Sequence, residues 1–187
     1  MKKIILFAAA ALLTLTASAQ GKFAHVNFSE LVQLMPEADA ARSQINAASK
    51  EAQDTYQAMI EEYQTKAQQY DQKKATWTDA IRQSKEKELN EIGQRIQEFQ
   101  QTIQNELAQQ QSQLMAPIQE KAFQTVEKLA KAGGYIFVFD ASQYLFVDKT
   151  QSKDLTPDAR KALNIPDGRT LESLQQELQA QAQTQGE

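Results

Sequence analysis

The sequence predicts a mainly α-helical protein in which a long antiparallel helical hairpin is inserted into a small β-rich body. Three observations support this fold class. Gly and Pro are scarce, at 6 and 4 of 187 residues, which favours long helices. Apolar or small residues recur at helical spacing through most of the chain. Aromatic and β-branched residues are instead concentrated in GGYIFVFDASQYLFVD, residues 133–148, which is typical of β-strands.

The first residues have the organisation of a cleaved secretion signal. Two lysines form a short positive region, an apolar run follows from Ile4 to Leu15, and Ala17 and Ala19 give the small-x-small cleavage pattern. The run is shorter than the roughly 20 residues that span a bilayer. We therefore expect residues 1–19 to be removed, the mature protein to be periplasmic, and no membrane-spanning segment to remain.

The composition argues against several function classes. The chain has no Cys and one His, which excludes thiol chemistry, a disulfide framework and His-based metal sites. No Gly-rich loop that could bind phosphate precedes a helix. Without Lys2 and Lys3, 18 of the 20 basic residues remain against 24 acidic ones, so nucleic acid is not an expected partner. We predict no enzymatic activity, no cofactor and no metal.

The body begins with a short strand and a short helix, which we assign to residues 20–36. The strand is predicted over Phe23–Phe28, where apolar residues alternate loosely. His25 lies in this strand between two apolar neighbours, so we interpret it as a structural residue. Ser29 can cap a helix over Glu30–Met35.

Residues 37–131 are predicted to form the helical hairpin, with its tip near residues 75–79. In this link, Thr76 and Asp79 have the spacing of a capping box. Two long helices joined by so short a link fold back on each other; one continuous helix is the alternative interpretation. We expect Pro117 to kink the second helix where the hairpin meets the body.

Each predicted helix carries a narrow seam of apolar or small residues and a wide polar remainder, as in a coiled coil. The seam of the first helix comprises Ala38, Ala41, Ile45, Ala48, Ala52, Tyr56, Met59, Tyr63, Ala67 and Tyr70. The seam of the second comprises Ile81, Lys85, Leu89, Ile92, Ile96, Phe99, Ile103, Leu107, Gln110, Leu114, Ile118, Ala122, Val126 and Leu129, of which Lys85 and Gln110 are polar.

After a helix stop at Gly133–Gly134, residues 135–139 and 144–147 are predicted to pair as a β-hairpin around a turn at 140–143. Apolar side chains occupy both faces of both strands, which is typical of a sheet covered on both sides. Leaving one face in water would forfeit on the order of 10 kcal/mol, comparable with the stability of a whole domain. Because one chain offers too little cover, we predict an obligate homo-oligomer with a β-rich core.

The second part of the body is assigned to residues 132–168. Thr156 can cap a short helix whose first residue is Pro157. Residues 169–187 are expected to be a partly disordered extension, because the tail from about Gln179 contains little besides Gln, Ala and Thr.

Trp77 stands at the predicted tip and has two interpretations. It packs back onto Ala75 and Ile81, or it is an apolar contact point that a partner meets first.

Two segments resemble the OmpH/Skp family of periplasmic chaperones for outer-membrane proteins. They are FAHVNFSELVQLMPEA, after the signal, and IQEKAFQTVEKLAKAGGYIFVFDASQYLFVDKTQSKDLTPDARKAL, after the long helices. The resemblance covers about residues 22–165 and extends to the order of the elements. It implies a jellyfish-like homotrimer in which helical tentacles protrude from a central body and enclose a cavity. The resemblance further implies that unfolded outer-membrane β-barrel proteins would be held there without ATP, which would prevent their aggregation.

The resemblance also suggests which residues carry each role. The oligomer body would contain Phe23, Val26, Phe28, Ile136, Val138, Tyr144 and Phe146. Candidate client contacts on the tentacles are Met59, Tyr63, Tyr70, Trp77 and Phe99, together with the many glutamines.

One departure from the family concerns charge. Its well-known proteobacterial members are strongly basic, whereas this chain is acidic, so we do not extend their lipopolysaccharide binding to it. The alternative function is a structural coiled-coil spacer or adaptor of the cell envelope, which would need a rigid seam and a defined docking patch. The seam here contains many Ala residues and the polar Lys85 and Gln110, so it looks loose rather than rigid, which favours the chaperone.

Overall fold

The computed structural model describes residues 21–185, most of which are helical. The predicted signal, residues 1–19, lies outside the described residues. Within the described range, no helix combines the length and the apolar character that a membrane crossing requires. The elements in chain order are β1 (Lys22–Val26), α1 (Phe28–Leu34), α2 (Pro36–Lys73), α3 (Asp79–Gly133), β2 (Tyr135–Asp140), a 3-10 turn (Ala141–Gln143), β3 (Ser152–Asp154), α4 (Thr156–Ala162) and α5 (Leu171–Gln185).

The sheet contains three parallel strands in the order β2-β1-β3, so the predicted β-hairpin is wrong. The third strand is Ser152–Asp154, and residues 144–147 form no strand. The Asp140 carboxylate accepts hydrogen bonds from the Ser142 N–H at 3.1 Å and its hydroxyl at 2.8 Å. These bonds start the 3-10 turn, which directs the chain away from β2 toward the opposite edge of the sheet. Apolar alternation predicts that a segment is extended, but it does not identify the strand's partner.

The body core surrounds β1, the central strand. Ala24 and Val26 are buried, and Leu31 and Leu34 of α1 are completely buried. Helix α1 packs against both α4 and α5. The short helices therefore cover each other and leave much of the sheet for other contacts.

Asn27, rather than the predicted Ser29, caps α1. Its side-chain oxygen accepts a hydrogen bond from the Glu30 N–H at 3.1 Å, because the strand ends two residues earlier than the alternation predicts. The Asn27 N–H donates to Thr156 Oγ1 at 3.0 Å. The Thr156 hydroxyl thus bonds across the body and does not cap α4, whereas Pro157 does stand in the first turn of α4 as predicted.

The chain divides into two compact units. Among the described residues, 21–38 and 118–185 form one unit, which we call the body, and residues 39–117 form the other, which we call the arm. Helix α3 passes through Pro117 without ending, and the boundary between the units follows this proline directly. The helix then stops where predicted, since Gly134 has φ +68°, a left-handed conformation that glycine adopts at little cost.

Within the arm, α2 and α3 run antiparallel, as predicted. The Gln100 side chain donates to the Tyr56 hydroxyl at 2.8 Å, and Arg95 lies 3.6 Å from the Glu62 carboxylate. Residues nearer the end of α2 therefore meet residues nearer the start of α3, which excludes one continuous helix. The predicted seams are confirmed as well: apart from Tyr63, Ile81 and Lys85, every seam residue is buried or half-buried.

The arm turn uses Thr78 where the sequence predicts a capping box of Thr76 and Asp79. Thr78 Oγ1 accepts a hydrogen bond from the Ile81 N–H at 3.4 Å, and the Thr76 hydroxyl donates to the Lys73 carbonyl at 2.8 Å. Asp79 pairs instead with Arg82. The capping box is wrong because the chain stays in the turn for two residues longer than the motif requires.

The C-terminal segment is helical over Leu171–Gln185, where the sequence predicts disorder from about Gln179. Thr170 and Ser173 exchange hydrogen bonds at the start of this helix, with each hydroxyl accepting from the other residue's N–H at 3.1 and 3.0 Å. Leu174 is 5% exposed. The cap and this one anchored leucine favour a helix that composition alone does not predict, although Gln and Ala both tolerate helical backbone.

We expect Leu174→Ala to lower the free energy of unfolding by about 2–3 kcal/mol, because it removes a buried leucine. The same change at Leu178, which is 39% exposed, should cost about 0.5 kcal/mol or less. Urea unfolding followed by circular dichroism measures both. Equal effects of the two substitutions would contradict the packing of α5 on the body.

Candidate functional site

The body exposes a cluster of aromatic side chains that we call the aromatic face: Phe23, Phe137, Phe139, Tyr144 and Phe146. Phe23 stacks on Phe137 with ring centroids 6.2 Å apart and on Phe139 at the same distance. Tyr144 meets Phe139 edge-to-face at 5.8 Å. Phe137 is nevertheless 58% exposed and Phe146 80% exposed. Exposed aromatic clusters of this kind mark interaction surfaces.

The register of the parallel sheet creates this face. Phe23 of β1 lies opposite Phe137, and His25 lies opposite Phe139. Alternate residues of a strand point to the same side, so Phe23, Phe137 and Phe139 are brought together. An apolar cavity of about 260 Å³ lies beside them and is lined partly by Tyr144 and Phe146.

A second apolar groove lies on the other side of the sheet. Its volume is about 340 Å³, and its lining includes Val26 and Val138 from the sheet and Phe123 and Val126 from α3. Phe123 is largely exposed. The body thus offers apolar surface on both sides of its sheet.

Residues 144–147 follow the 3-10 turn with little cover. Tyr144 has extended backbone angles, φ −116° and ψ 139°, and Leu145 is fully exposed. Strand β2 pairs with β1 along one edge, and in the described chain no strand pairs with its other edge. An unpaired edge with exposed apolar side chains is a ready site for association with another chain.

The structure separates the predicted body residues into two groups. Val26 is 3% exposed and belongs to the core of a single chain, and Phe28 and Val138 are half-buried. The second group is exposed and comprises Phe23, Ile136, Tyr144 and Phe146.

The prediction omitted four further exposed apolar residues: Phe123, Leu145, Phe137 and Phe139. The alternation of β2 could have identified Phe137 and Phe139, whereas Phe123 lies outside the helical seam and carries no such signal.

The predicted client contacts all lie in the arm. Tyr63 is exposed, and Met59, Tyr70, Trp77 and Phe99 are half-buried. Trp77 packs back on the arm against Tyr70, with ring centroids 6.0 Å apart. The indole is thus held in place while part of it remains accessible.

Charged groups near the turn are linked across the two helices. Glu88 of α3 pairs with Lys66 of α2 and lies 2.8 Å from Lys85. The hydrogen bond from Lys66, followed by that from Lys85, lowers the pKa of Glu88 from 4.5 to about 2. The same bond with Glu88 raises the pKa of Lys66. Tyr70 donates to Glu86, which raises the pKa of the phenol.

The body's one histidine has a structural position. His25 is 4% exposed, and its Nδ1 lies 2.9 Å from Ser152 Oγ of the neighbouring strand. In the described part of the chain, no group of His, Cys, Asp and Glu side chains could hold a metal ion.

Comparisons with known proteins found a matching family model and individual similar proteins. A family model described as "Outer membrane protein (OmpH-like)" matches residues 22–163. The "Chaperone protein Skp" of Yersinia enterocolitica is 29% identical over 167 residues, which cover 86% of this chain and 98% of the relative. A crystal structure of an OmpH-like protein from Caulobacter crescentus aligns with a TM-score of 0.68 and 14% identity over 78% of this chain and 85% of that one. This structural match establishes the fold alone.

We expect Lys66→Gln to raise the pKa of Glu88 from about 2 toward its ordinary value of 4.5. A carboxylate with a lowered pKa stabilises the fold fully above pH 4.5, and this contribution is lost as the pH falls through 2. Carboxyl NMR titration measures the shift. Lys87→Gln is the matched control, because Lys87 pairs with Glu91 at 3.7 Å and should leave Glu88 unchanged. A Glu88 pKa near 4.5 in the unsubstituted protein would disprove the link.

Proposed function

The chain belongs to the family of OmpH-like outer membrane proteins, and on this basis we propose that it is an ATP-independent holdase chaperone of the periplasm. It binds unfolded outer-membrane proteins and prevents their aggregation. The observation that carries the proposal is the separation of surfaces between the two units. The body exposes a large aromatic face, whereas the arm exposes mostly polar side chains over a loosely closed seam.

The aromatic face supports self-association of the body. Burying one such side chain stabilises by about 1.5–3 kcal/mol, so the exposed aromatic residues together represent a large unrealised stabilisation. The free edge of β2 and the extended segment at residues 144–147 add unpaired backbone to the same unit. When two different patches of one chain bind each other head to tail, a closed ring can form. The family resemblance implies three copies.

The arm supports client binding by many weak contacts. Few of its seam residues are buried; Ala41, Ile92 and Ile96 are the exceptions. Half-buried apolar groups such as Met59 and Phe99 therefore remain available along its length. Adaptable surfaces of this kind suit a binder that accepts many unfolded partners. The acidic balance of the chain, at net charge −4, gives no reason to include lipopolysaccharide among its ligands.

The first prediction of this proposed function concerns chaperone activity. The purified mature protein should suppress aggregation of a urea-diluted outer-membrane barrel protein at about one trimer per client, without ATP, because a cavity-type holdase encloses its client. Light scattering follows the aggregation. Failure to suppress it, where an established holdase succeeds under the same conditions, would reject the proposal.

The second prediction concerns assembly. Phe137→Ser should shift the protein toward monomer, because it places a hydroxyl in the aromatic face that copies of the chain would bury. Ile81→Ser is the matched control, since Ile81 is an exposed apolar residue of the arm. Sedimentation velocity at micromolar concentration measures the mass. A well-folded monomer in the unsubstituted protein, or equal masses of the two variants, would contradict the assembly.

The third prediction separates the chaperone from a spacer. Trp77→Ala should change aggregation suppression by less than about twofold, because many contacts share the client. A spacer that docks through the end of its arm would instead lose one specific partner. Loss of a single envelope protein from affinity purification, with aggregation suppression absent in both forms, would favour the spacer.

A further inference from the structure

The chain enters the central strand of the sheet immediately after the predicted signal. Strand β1 begins at Lys22, and cleavage is predicted after Ala19. Phe23, the second residue of β1, already belongs to the aromatic face. Leu15, the last residue of the apolar run of the signal, precedes Phe23 by eight residues, which span at most about 28 Å when fully extended.

The backbone just before β1 lies against β2. A Cβ atom at Gly21 would come within 2.2 Å of Ile136 Cδ1, so any larger residue there would require Ile136 to move. Strand β2 carries Phe137 and Phe139, and in the described chain no strand pairs with its outer edge. The residues that precede Gly21 therefore join the body beside the exposed aromatic side chains.

The apolar run and the aromatic face match each other in chemistry. Residues 4–15 consist of Ile, Leu, Phe and Ala, with Thr14 as their only polar residue. The cavity beside the face is lined in part by Phe23, and Asp148 is the one charged residue of its lining. The Asp148 carboxylate is bonded to the Thr150 N–H at 2.8 Å and to the Thr150 hydroxyl at 2.7 Å. Contact between the run and the face would remove apolar surface of both from water, which is favourable.

The groove on the other side of the sheet is a poorer receptor for this run. Its lining includes Val26 and Asp140, the last residues of β1 and β2, so it lies toward the strand ends that are farther from Gly21. The lining also contains two acidic residues, Asp140 and Glu127. A carboxylate covered by an apolar segment loses hydration, which is unfavourable.

From this placement we propose that, in the precursor, the apolar run at residues 4–15 occupies the aromatic face of its own chain and excludes a second copy from it. This inference rests on the proposed self-association of the body through that face. A segment on a short tether has an effective concentration in the millimolar range, roughly a thousandfold above that of a protein present at micromolar concentration. The run therefore competes successfully with a second copy.

Removal of the signal reverses this competition. Hydrolysis of the peptide bond between Ala19 and Gln20 consumes one water molecule and leaves a carboxylate on Ala19 and an amine on Gln20. The run is then no longer tethered, and the aromatic face becomes available to other copies. Assembly of the body is thereby delayed until the signal has been cleaved.

Sedimentation velocity tests the competition. The full chain, residues 1–187, and the mature chain, residues 20–187, are compared at about 5 μM, far below the effective concentration of the tethered run. We expect the mature chain to associate and the full chain to remain monomeric. A full chain that reaches the mass of the mature assembly, or exceeds it, would overturn the inference.

A polar variant separates apolar contact from simple obstruction by an added segment. Replacing Ile5, Leu12 and Leu15 by Gln keeps the length and charge of the full chain, and we expect this variant to associate as the mature chain does because its run is no longer driven from water. The control replaces Thr16 and Ser18, which lie outside the run, by Gln and should remain monomeric. If the polar variant also stays monomeric, length alone blocks assembly and docking of the run is rejected.

Cross-linking locates the run on the body. The chain has no Cys, so Leu13→Cys gives the full chain a single site for a benzophenone maleimide. After irradiation and tryptic digestion, we expect links to residues 137–147, on the aromatic face, to exceed links to residues 123–130, beside the opposite groove, by about fivefold. The same label in the polar variant should lose this preference. Equal yields at the two segments, or a preference for residues 123–130, would contradict the placement.

The mass of the mature chain distinguishes failure of this inference from failure of the proposed self-association. If the mature chain is monomeric, the self-association fails and the inference fails with it. If the mature chain associates and the full chain associates equally, only docking of the run is rejected.

Discussion

The pairing of β1 on both of its edges is the constraint on which the rest of the molecule depends. Phe23 lies opposite Phe137 on one side and opposite Ser152 on the other, so the strand near the N-terminus joins segments that are far away in the sequence. Closing so long a loop has an entropic cost, but this cost grows slowly with length. The antiparallel arm also keeps this entropic cost low, because its two helices bring the chain back toward its starting point. The small sheet can therefore hold a large insertion.

The same sheet leaves the body with apolar surface that its own helices do not cover. Three short strands with apolar residues on both faces need cover on both sides, and α1, α4 and α5 are too small to supply it. The cover they do supply is concentrated around Leu31, Leu34 and Leu163. The apolar side chains that remain exposed are mostly aromatic. They lie next to the unpaired edge of β2. The arm has the opposite character, with amides and ion pairs outside and a thin seam inside. The proposed association and the proposed client binding therefore fall in different units.

The sequence predicts the helical parts well and the sheet poorly, for a physical reason. Helical periodicity is a local property, and the stop at Gly133–Gly134 depends only on backbone conformation; both are confirmed. Caps are less certain, since Asn27 and Thr78 replace the predicted Ser29 and Thr76 through shifts of two residues. The β-hairpin fails because the partner of β2 is β1 and not its neighbour in the sequence. Phe137 and Phe139 become a shared surface with Phe23 only in that parallel register.

The amino-acid sequence by itself determined the long antiparallel helices, their seams, the family and the need for an apolar body. These follow from residue type and spacing along a few turns of chain. Only the tertiary structure decided the order β2-β1-β3 and the position of the aromatic face. Each of these depends on contacts between residues distant in sequence, which local patterns do not encode.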